Sequence, residues 1–177
     1  MIRILPFRKV LPRLLLICGV VLTLSAPARA ADRVLAFAVP GVVAEMKVKA
    51  GAQVEKGAIL AILDQRPSSA RKKASEAKVE AAMVRSELAA RRLEQTEQLF
   101  DSLSASTEDV ENASTTAATA RSDLQTAKAQ ASIIAWRHEH TTLRAPFAGI
   151  VTSVPGYPGM IVPHNGDVVP VVIIRTP

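Results

Sequence analysis

The longest pattern along the chain is a segment in which apolar side chains recur every three or four residues. It extends over residues 68–145, contains neither glycine nor proline, and is rich in Ala, Glu, Gln, Arg, Lys and Leu. Glycine and proline interrupt helices, whereas the abundant residue types favour them. Alternating steps of three and four residues are the heptad pattern of a coiled coil. The segment therefore predicts two long helices that pack along a narrow seam.

The spacing assigns this seam in both arms. In the second arm the predicted seam consists of Val110, Ala113, Ala117, Ala120, Leu124, Ala127, Ala131 and Ile134. In the first arm it consists of Ala70, Ala74, Ala77, Ala81, Val84 and Leu88, followed by a change of phase to Ala90, Leu93, Phe100 and Leu103. Most of these side chains are small, so the two helices can approach closely.

A polar stretch at residues 101–106 separates the two arms. Ser106 followed by Asp109 has the spacing of a helix N-cap with an acid three residues later, which predicts that a new helix begins there. The chain therefore folds back into an antiparallel hairpin, with arms of about 50 Å. Residues 66–100 carry eight basic and five acidic side chains, and residues 107–141 carry three and five. These net charges of +3 and −2 agree with pairing of the arms.

The flanks of the helical segment repeat each other. Gly41, Val43, Met46, Gly51, Val54 and Gly57 match Gly149, Val151, Val154, Gly159, Val162 and Gly166 in spacing, with one extra residue before the last. Alternating apolar residues bounded by glycine predict short strands, with these six glycines at turns. Each half is too short to bury a core alone. The sequence therefore predicts an α+β fold, in which one β-sandwich built from two halves is interrupted by an antiparallel helical hairpin.

The first thirty residues have the layout of an export signal. Basic residues come first, an apolar run occupies residues 14–24, and Ala28 and Ala30 form a small-residue cleavage site. A membrane span needs about 20 apolar residues, so a cleaved signal peptide is predicted rather than an anchor. Cys18 is the only cysteine and lies in this segment, so the exported chain has no disulfide.

The export signal changes the meaning of the net charge of +6. Five of the 22 basic residues and none of the 16 acidic residues lie in residues 1–30, which leaves 17 against 16 in the remainder. A nucleic-acid-binding domain needs a clustered basic surface, and a chain with a charge of +1 does not suggest one. We therefore expect no nucleic-acid partner.

No arrangement of residues indicates catalysis or a cofactor. His138 and His140 are two residues apart and point to different sides of a helix, whereas zinc-binding helices use a spacing of four. His164 is isolated. No glycine-rich phosphate loop and no arrangement of nucleophile and base can be placed. We expect a protein that is not an enzyme and that binds neither a metal nor a cofactor.

Two stretches resemble the halves of a biotinyl/lipoyl-like module. They are PGVVAEMKVKAGAQVEKGAILAILD at residues 40–64 and TTLRAPFAGIVTSVPGYPGMIV at residues 141–162. A helical hairpin between two such halves resembles the bacterial periplasmic adaptors, or membrane fusion proteins, of tripartite efflux pumps and hemolysin-type secretion systems. The resemblance implies four parts: a signal peptide at 1–30, half-modules at 31–65 and 143–177, and a hairpin at 66–142. The half-modules together would form a barrel-sandwich hybrid.

The resemblance also implies a function. Such adaptors form homo-oligomeric rings in the periplasm and link an inner-membrane transporter to an outer-membrane channel protein through the hairpin tip. In resistance-type pumps the tip carries an Arg, a Leu four residues later and a Ser seven beyond it. Leu99 and Ser106 match the last two, while Gln95 stands at the Arg position, after Arg91 and Arg92. Leu99, Leu103 and Ser106 are therefore the expected partner-binding residues.

Three alternatives remain open at this stage. Adaptors usually continue into a β-barrel domain, so a chain that stops at Pro177 is expected to be a short form, a partner of another subunit or a truncated adaptor. A biotin or lipoyl carrier would present a lysine between its halves, but Lys72 and Lys73 lie in the predicted helix. The third alternative is a structural periplasmic coiled coil without a transport role.

Overall fold

The computed structural model describes residues 31–163 and 168–176. The predicted signal peptide, Cys18, His164 and Gly166 lie outside these residues. In chain order the elements are β1 (Asp32–Leu35), β2 (Gly41–Met46), β3 (Gln53–Val54), β4 (Ile59–Leu63), α1 (Arg66–Asp101), α2 (Thr107–Glu139), β5 (Thr142–Arg144), β6 (Gly149–Ser153), β7 (Ile161–Val162) and β8 (Val172–Arg175). Neither helix has the length and apolar character that a bilayer crossing requires.

The strands form two four-stranded antiparallel sheets, with the orders β1-β8-β6-β3 and β5-β4-β2-β7. The two short strands, β3 and β7, each pair with a strand from the other half of the chain. Strand β3 of the first half pairs with β6 of the second, where Gln53 lies opposite Ile150. Strand β7 of the second half pairs with β2 of the first, where Gly41 lies opposite Val162. Each sheet therefore contains two strands from each half of the chain.

Both sheets contribute to one hydrophobic core. Leu60 and Leu63 come from one sheet and Val151 and Ile174 from the other, and all four are almost completely buried within a single cluster. The prediction of β structure interrupted by a helical hairpin is confirmed at this level, and the sheets are antiparallel. We call the two sheets together the β unit.

The hairpin enters and leaves the β unit between two paired strands. Strands β4 and β5 are neighbours, with Ile62 opposite Thr142, so the two helices replace the turn that would otherwise join them. The side-chain amide of Gln65 donates hydrogen bonds to the hydroxyls of Thr141 and Thr142, each at 3.0 Å. One turn into the helices, the Ser68 hydroxyl and His138 Nδ1 are 2.9 Å apart. These contacts fix the base of the hairpin on the ends of the strands.

The glycines fall into two groups. Gly51, Gly57 and Gly159 have φ values of +84°, +89° and +90°, which confirms the predicted turns. The prediction is wrong for Gly41 and Gly149, which begin strands β2 and β6. A Cβ atom at Gly149 would lie 2.4 Å from the carbonyl oxygen of Arg175 in β8. This glycine therefore permits the close approach of two strands.

The predicted seam is confirmed in α2 and wrong in the first arm at every position except Leu93. All eight predicted positions of α2 are at least partly buried. The six predicted positions at the start of α1 are all exposed, and of the four after the phase change only Leu93 is shielded. The residues of α1 that are at least partly buried are Ser68, Ser69, Lys72, Ser75, Val79, Ala82, Ser86, Ala89, Leu93 and Thr96. All of them except Ser69 follow alternating steps of four and three residues.

Small hydroxyl residues explain why the pattern of apolar residues misplaced this seam. Ser75 and Thr96 are buried, and their hydroxyls donate to the carbonyl oxygens of Lys72 at 2.7 Å and Arg92 at 2.8 Å. A hydroxyl that bonds to its own helix needs no partner across the seam. Serine and threonine can therefore take the place of alanine there. The six exposed apolar positions, Ala70, Ala74, Ala77, Ala81, Val84 and Leu88, form what we call the outer stripe of α1.

The opposite net charges of the two arms do not form ion pairs between the described residues of α1 and α2. Among residues 31–163 and 168–176, the hairpin contains one ion pair in which both partners lie within its helices. It joins Lys72 to Glu76 at 3.8 Å, inside α1. The net charges of +3 and −2 thus do not act through ion pairs across the seam.

The seam assignment can be tested by adjacent substitutions. Ala82 is 5% exposed and Ala81 is exposed. We expect Ala82→Asp to lower the free energy of unfolding by about 2 kcal/mol or more, because it buries an unpaired charge. Ala81→Asp should change it by about 0.5 kcal/mol at most. Urea unfolding of dilute protein, followed by helical circular dichroism, measures both, and equal effects would contradict the assignment.

Candidate functional site

The candidate site is the tip of the hairpin, where α1 ends. The amide of Ser104 donates to the carbonyl oxygen of Leu99 at 2.8 Å, and the amide of Leu103 donates to that of Phe100 at 2.9 Å. These two bonds form a Schellman motif, which satisfies the last carbonyl groups of a helix. The motif requires a left-handed residue just beyond the cap, and Leu103 occupies this position with φ of +59°.

Leu103 is unfavourable at this position in two respects. The left-handed conformation costs a residue with a Cβ atom about 1–2 kcal/mol, which is why glycine is usual there. The side chain is also 94% exposed, so it gains nothing from packing within the described chain. Backbone strain of this kind concentrates at functional sites. Leu99 and Phe100, 50% and 41% exposed, extend the apolar surface of the tip.

Ser106 begins α2 through a capping box. The amide of Asp109 donates to the Ser106 hydroxyl oxygen at 3.2 Å. The amide and hydroxyl of Ser106 donate in return to Asp109 Oδ2 at 2.9 and 2.7 Å. The predicted N-cap is thus confirmed. The hydroxyl is already engaged within the turn, so its contribution to the site is to fix the start of α2.

The capping box also perturbs the acidity of its carboxyl group. Hydrogen bonds from the Ser106 hydroxyl and then from its amide favour the charged form, so the pKa of Asp109 is lowered. The lowered pKa means that the box contributes stability above the ordinary carboxyl pKa of about 3.9. This contribution is lost as the pH falls through the lowered value.

A shallow groove of about 380 Å³ lies beside the tip, between the two helices. Leu99 and Thr96 line it from α1, and Asp109 and Asn112 line it from α2. Arg92 also lines this groove and is the basic residue among its lining side chains. Apolar spacing could not identify this residue, because its position depends on the true seam of α1. Phe100 was assigned to the seam and not to the tip, although it follows Leu99 directly.

The histidines near the other end of the hairpin have structural contacts. The ring of His140 stacks on Trp136 with the centroids 4.1 Å apart, and its Nδ1 lies 2.7 Å from the Trp136 carbonyl oxygen. Within the described residues, no group of three or more potential metal ligands occurs.

At the start of α1, hydrogen bonds from Arg66 lower the pKa of Asp64 to about 2.

Solved structures with a similar fold include a membrane fusion protein and a periplasmic adaptor protein. The membrane fusion protein Spr0693 from Streptococcus pneumoniae R6 superposes with a TM-score of 0.65 at 19% identity over 82% of this chain. ZneB from Cupriavidus metallidurans gives 0.61 at 18% identity over 85%. The periplasmic adaptor EmrA gives 0.54 at 16% identity over 84%. The chain thus has the fold of these adaptors.

The similarity covers only part of each of these proteins. The chain spans 59% of Spr0693, 62% of ZneB and 73% of EmrA. For two further solved structures the share falls to 40% and 46%. No protein-family model and no curated protein matches the chain.

Removal of the N-cap hydroxyl tests the capping box. We expect Ser106→Ala to lower the free energy of unfolding by about 1 kcal/mol at neutral pH. The loss should shrink at acid pH, because protonation of Asp109 removes the box in the unaltered chain. The neighbouring Ser104→Ala serves as the control and should change stability by about 0.5 kcal/mol at most. Urea titrations at a series of pH values measure these differences, and a loss that is independent of pH would contradict the role of Asp109.

Proposed function

We propose that this chain is a periplasmic adaptor subunit of a tripartite efflux or secretion system. In this proposal the hairpin tip contacts an outer-membrane channel protein, and the subunit connects this channel to an inner-membrane transporter. The β unit is the biotinyl/lipoyl-like barrel-sandwich hybrid, and subunits assemble into a ring. The protein reaches the periplasm through its signal peptide and is not an enzyme.

One observation carries the proposal: the apex of the hairpin is apolar, exposed and strained. Leu103 combines a left-handed backbone with an exposure of 94%. A monomer would be more stable with glycine at this position. A leucine is advantageous only if another molecule buries it, and an apolar side chain at the end of two long helices fits a shallow apolar surface on a partner.

The arrangement of the elements supports this direction of contact. The base of the hairpin is fixed to the β unit by Gln65 and by the contact of Ser68 with His138. Helices of 36 and 33 residues place the tip about 50 Å from this base. A rigid arm of this length suits a protein that bridges two partners. The adaptor fold of the solved structures described above favours the same role.

A photoreactive amino acid at position 103 tests the contact. In the native host, we expect the full-length protein to crosslink to an outer-membrane channel protein. The matched control is the same label at Leu88, which is 62% exposed but lies halfway along α1. This label should not capture the channel. An exported and folded protein that captures no channel from position 103 would overturn the proposal.

A second variant separates binding from stability. Leu103→Gly removes the backbone strain and should raise the free energy of unfolding by about 1 kcal/mol. The same change removes the apolar contact, so we expect weaker channel capture and greater drug or metal sensitivity of the host. Capture is measured with a label at Leu99 in both backgrounds. Unchanged capture by the more stable variant would show that the leucine does not bind the partner.

A further inference from the structure

The outer stripe is a second heptad seam on α1. Its six members are separated by alternating steps of four and three residues, as in the seam that faces α2. Val84 and Leu88 are the largest of them and are 57% and 62% exposed. The inner face of the same helix contains buried hydroxyls at Ser75 and Thr96. Helix α1 thus directs its more apolar face away from α2, and no part of the described chain covers this face.

Two rows of opposite charge flank the outer stripe. On one flank the basic row consists of Arg71, Lys78, Arg85 and Arg92, each seven residues after the last. On the other flank the acidic row consists of Glu80, Glu87 and Glu94, with the same period. When the residues of the stripe are taken as the a and d positions of a heptad, the basic row occupies the e positions and the acidic row occupies the g positions. Coiled coils place at e and g the charges that select a partner.

The basic row lies on one side of the hairpin. Arg71 and Lys78 line a groove together with Gln130 of α2, and Arg92 lines a groove with Asn112 of α2. Glu80 is two residues after Lys78 and is therefore rotated by about 200° around the helix. The rows are thus separated on the outward face by the stripe.

The rows are not neutralised within the described chain. Four ion pairs occur among residues 31–163 and 168–176, and none includes a member of either row. Arg85 makes one local contact, from Nε to the carbonyl oxygen of Ala81 at 3.2 Å. The charges therefore remain available to a partner whose pattern is complementary.

We propose that the outer stripe binds the outer stripe of a second copy of this chain, with the two α1 helices parallel. In a parallel coiled coil, a g residue faces the e residue five positions later on the partner. This rule pairs Glu80 with Arg85 and Glu87 with Arg92 of the second copy. The two-fold axis repeats both pairs, which gives four ion pairs around a small apolar seam.

The charges also specify the orientation. In an antiparallel pair, like rows face each other, so Arg85 and Arg92 would lie against basic residues and Glu80 and Glu87 against acidic ones. Only the parallel pair brings opposite charges together over most of the stripe. At its base, Lys73 would face Lys78, so the favourable pairing begins at Glu80. The contact goes beyond the proposed function, since it involves no channel. Because it is two-fold, it joins copies in pairs, and a ring would need a second, heterologous contact between the pairs.

Charge reversal tests the contact by measurement of the dimer dissociation constant. In sedimentation equilibrium of the purified full-length chain, we expect a weak, salt-sensitive dimer. Reversal of one row, either Glu80→Arg with Glu87→Arg or Arg85→Glu with Arg92→Glu, should weaken self-association about tenfold or more. A mixture of the two variants should dimerise again, because each supplies the row that the other lacks. The control, Glu97→Arg with Glu111→Arg, changes the charge equally outside the two rows.

Single cysteines test the orientation. With Cys18→Ser in every variant, Ala74→Cys and Leu88→Cys should each form disulfide-linked dimers on mild oxidation, because equal positions meet in a parallel pair. Ala118→Cys, on the exposed face of α2, should not. The proposed contact is wrong if the chain is a monomer at every concentration at which it stays dissolved. It is also wrong if the Ala74→Cys variant links only to the Leu88→Cys variant when the two are mixed. Crosslinking of position 103 to a channel has no bearing on either outcome.

Discussion

The hydrogen bonds of β3 to β6 and of β7 to β2 join two halves of the chain that cannot fold separately. Each half has about 30 residues, too few to bury a core, and each supplies two of the four strands of both sheets. The shared core forms only when both halves are present. The position of the hairpin depends on this pairing between the two halves. The pairing holds the ends of β4 and β5 side by side and so determines where the two helices start and end.

The sequence was informative where side-chain type and spacing have one structural meaning. The absence of glycine and proline predicted the helices, the repeat predicted two halves of β structure, and Ser106 predicted the start of α2. Seam residues in α1 could not be predicted in this way. Buried Ser75 and Thr96 satisfy their hydroxyls on their own backbone, so a polar residue is no evidence of exposure there. Likewise, the sequence predicted a turn at both Gly149 and Gly159, and it does not show that Gly149 is instead needed for a close strand approach.

The candidate site was predicted in outline and not in its mechanism. Position alone places Leu99, Leu103 and Ser106 near the turn. The left-handed conformation of Leu103 follows from the Schellman motif, whose position depends on where α1 ends. The strain is located at the point of the chain farthest from the core, where it hardly affects the packing of the β unit. Stability and recognition are thus assigned to opposite ends of the molecule.

Because the hairpin is inserted between two paired strands, the length of its arms can change without any change in the β unit. Both helices leave from the same edge of the β unit, and the seam between them repeats every seven residues. Insertion of one heptad in each arm would therefore lengthen the hairpin by about 10 Å while every strand, turn and core contact stays in place. The number of heptads in the two arms therefore determines the width of the gap that the hairpin can bridge.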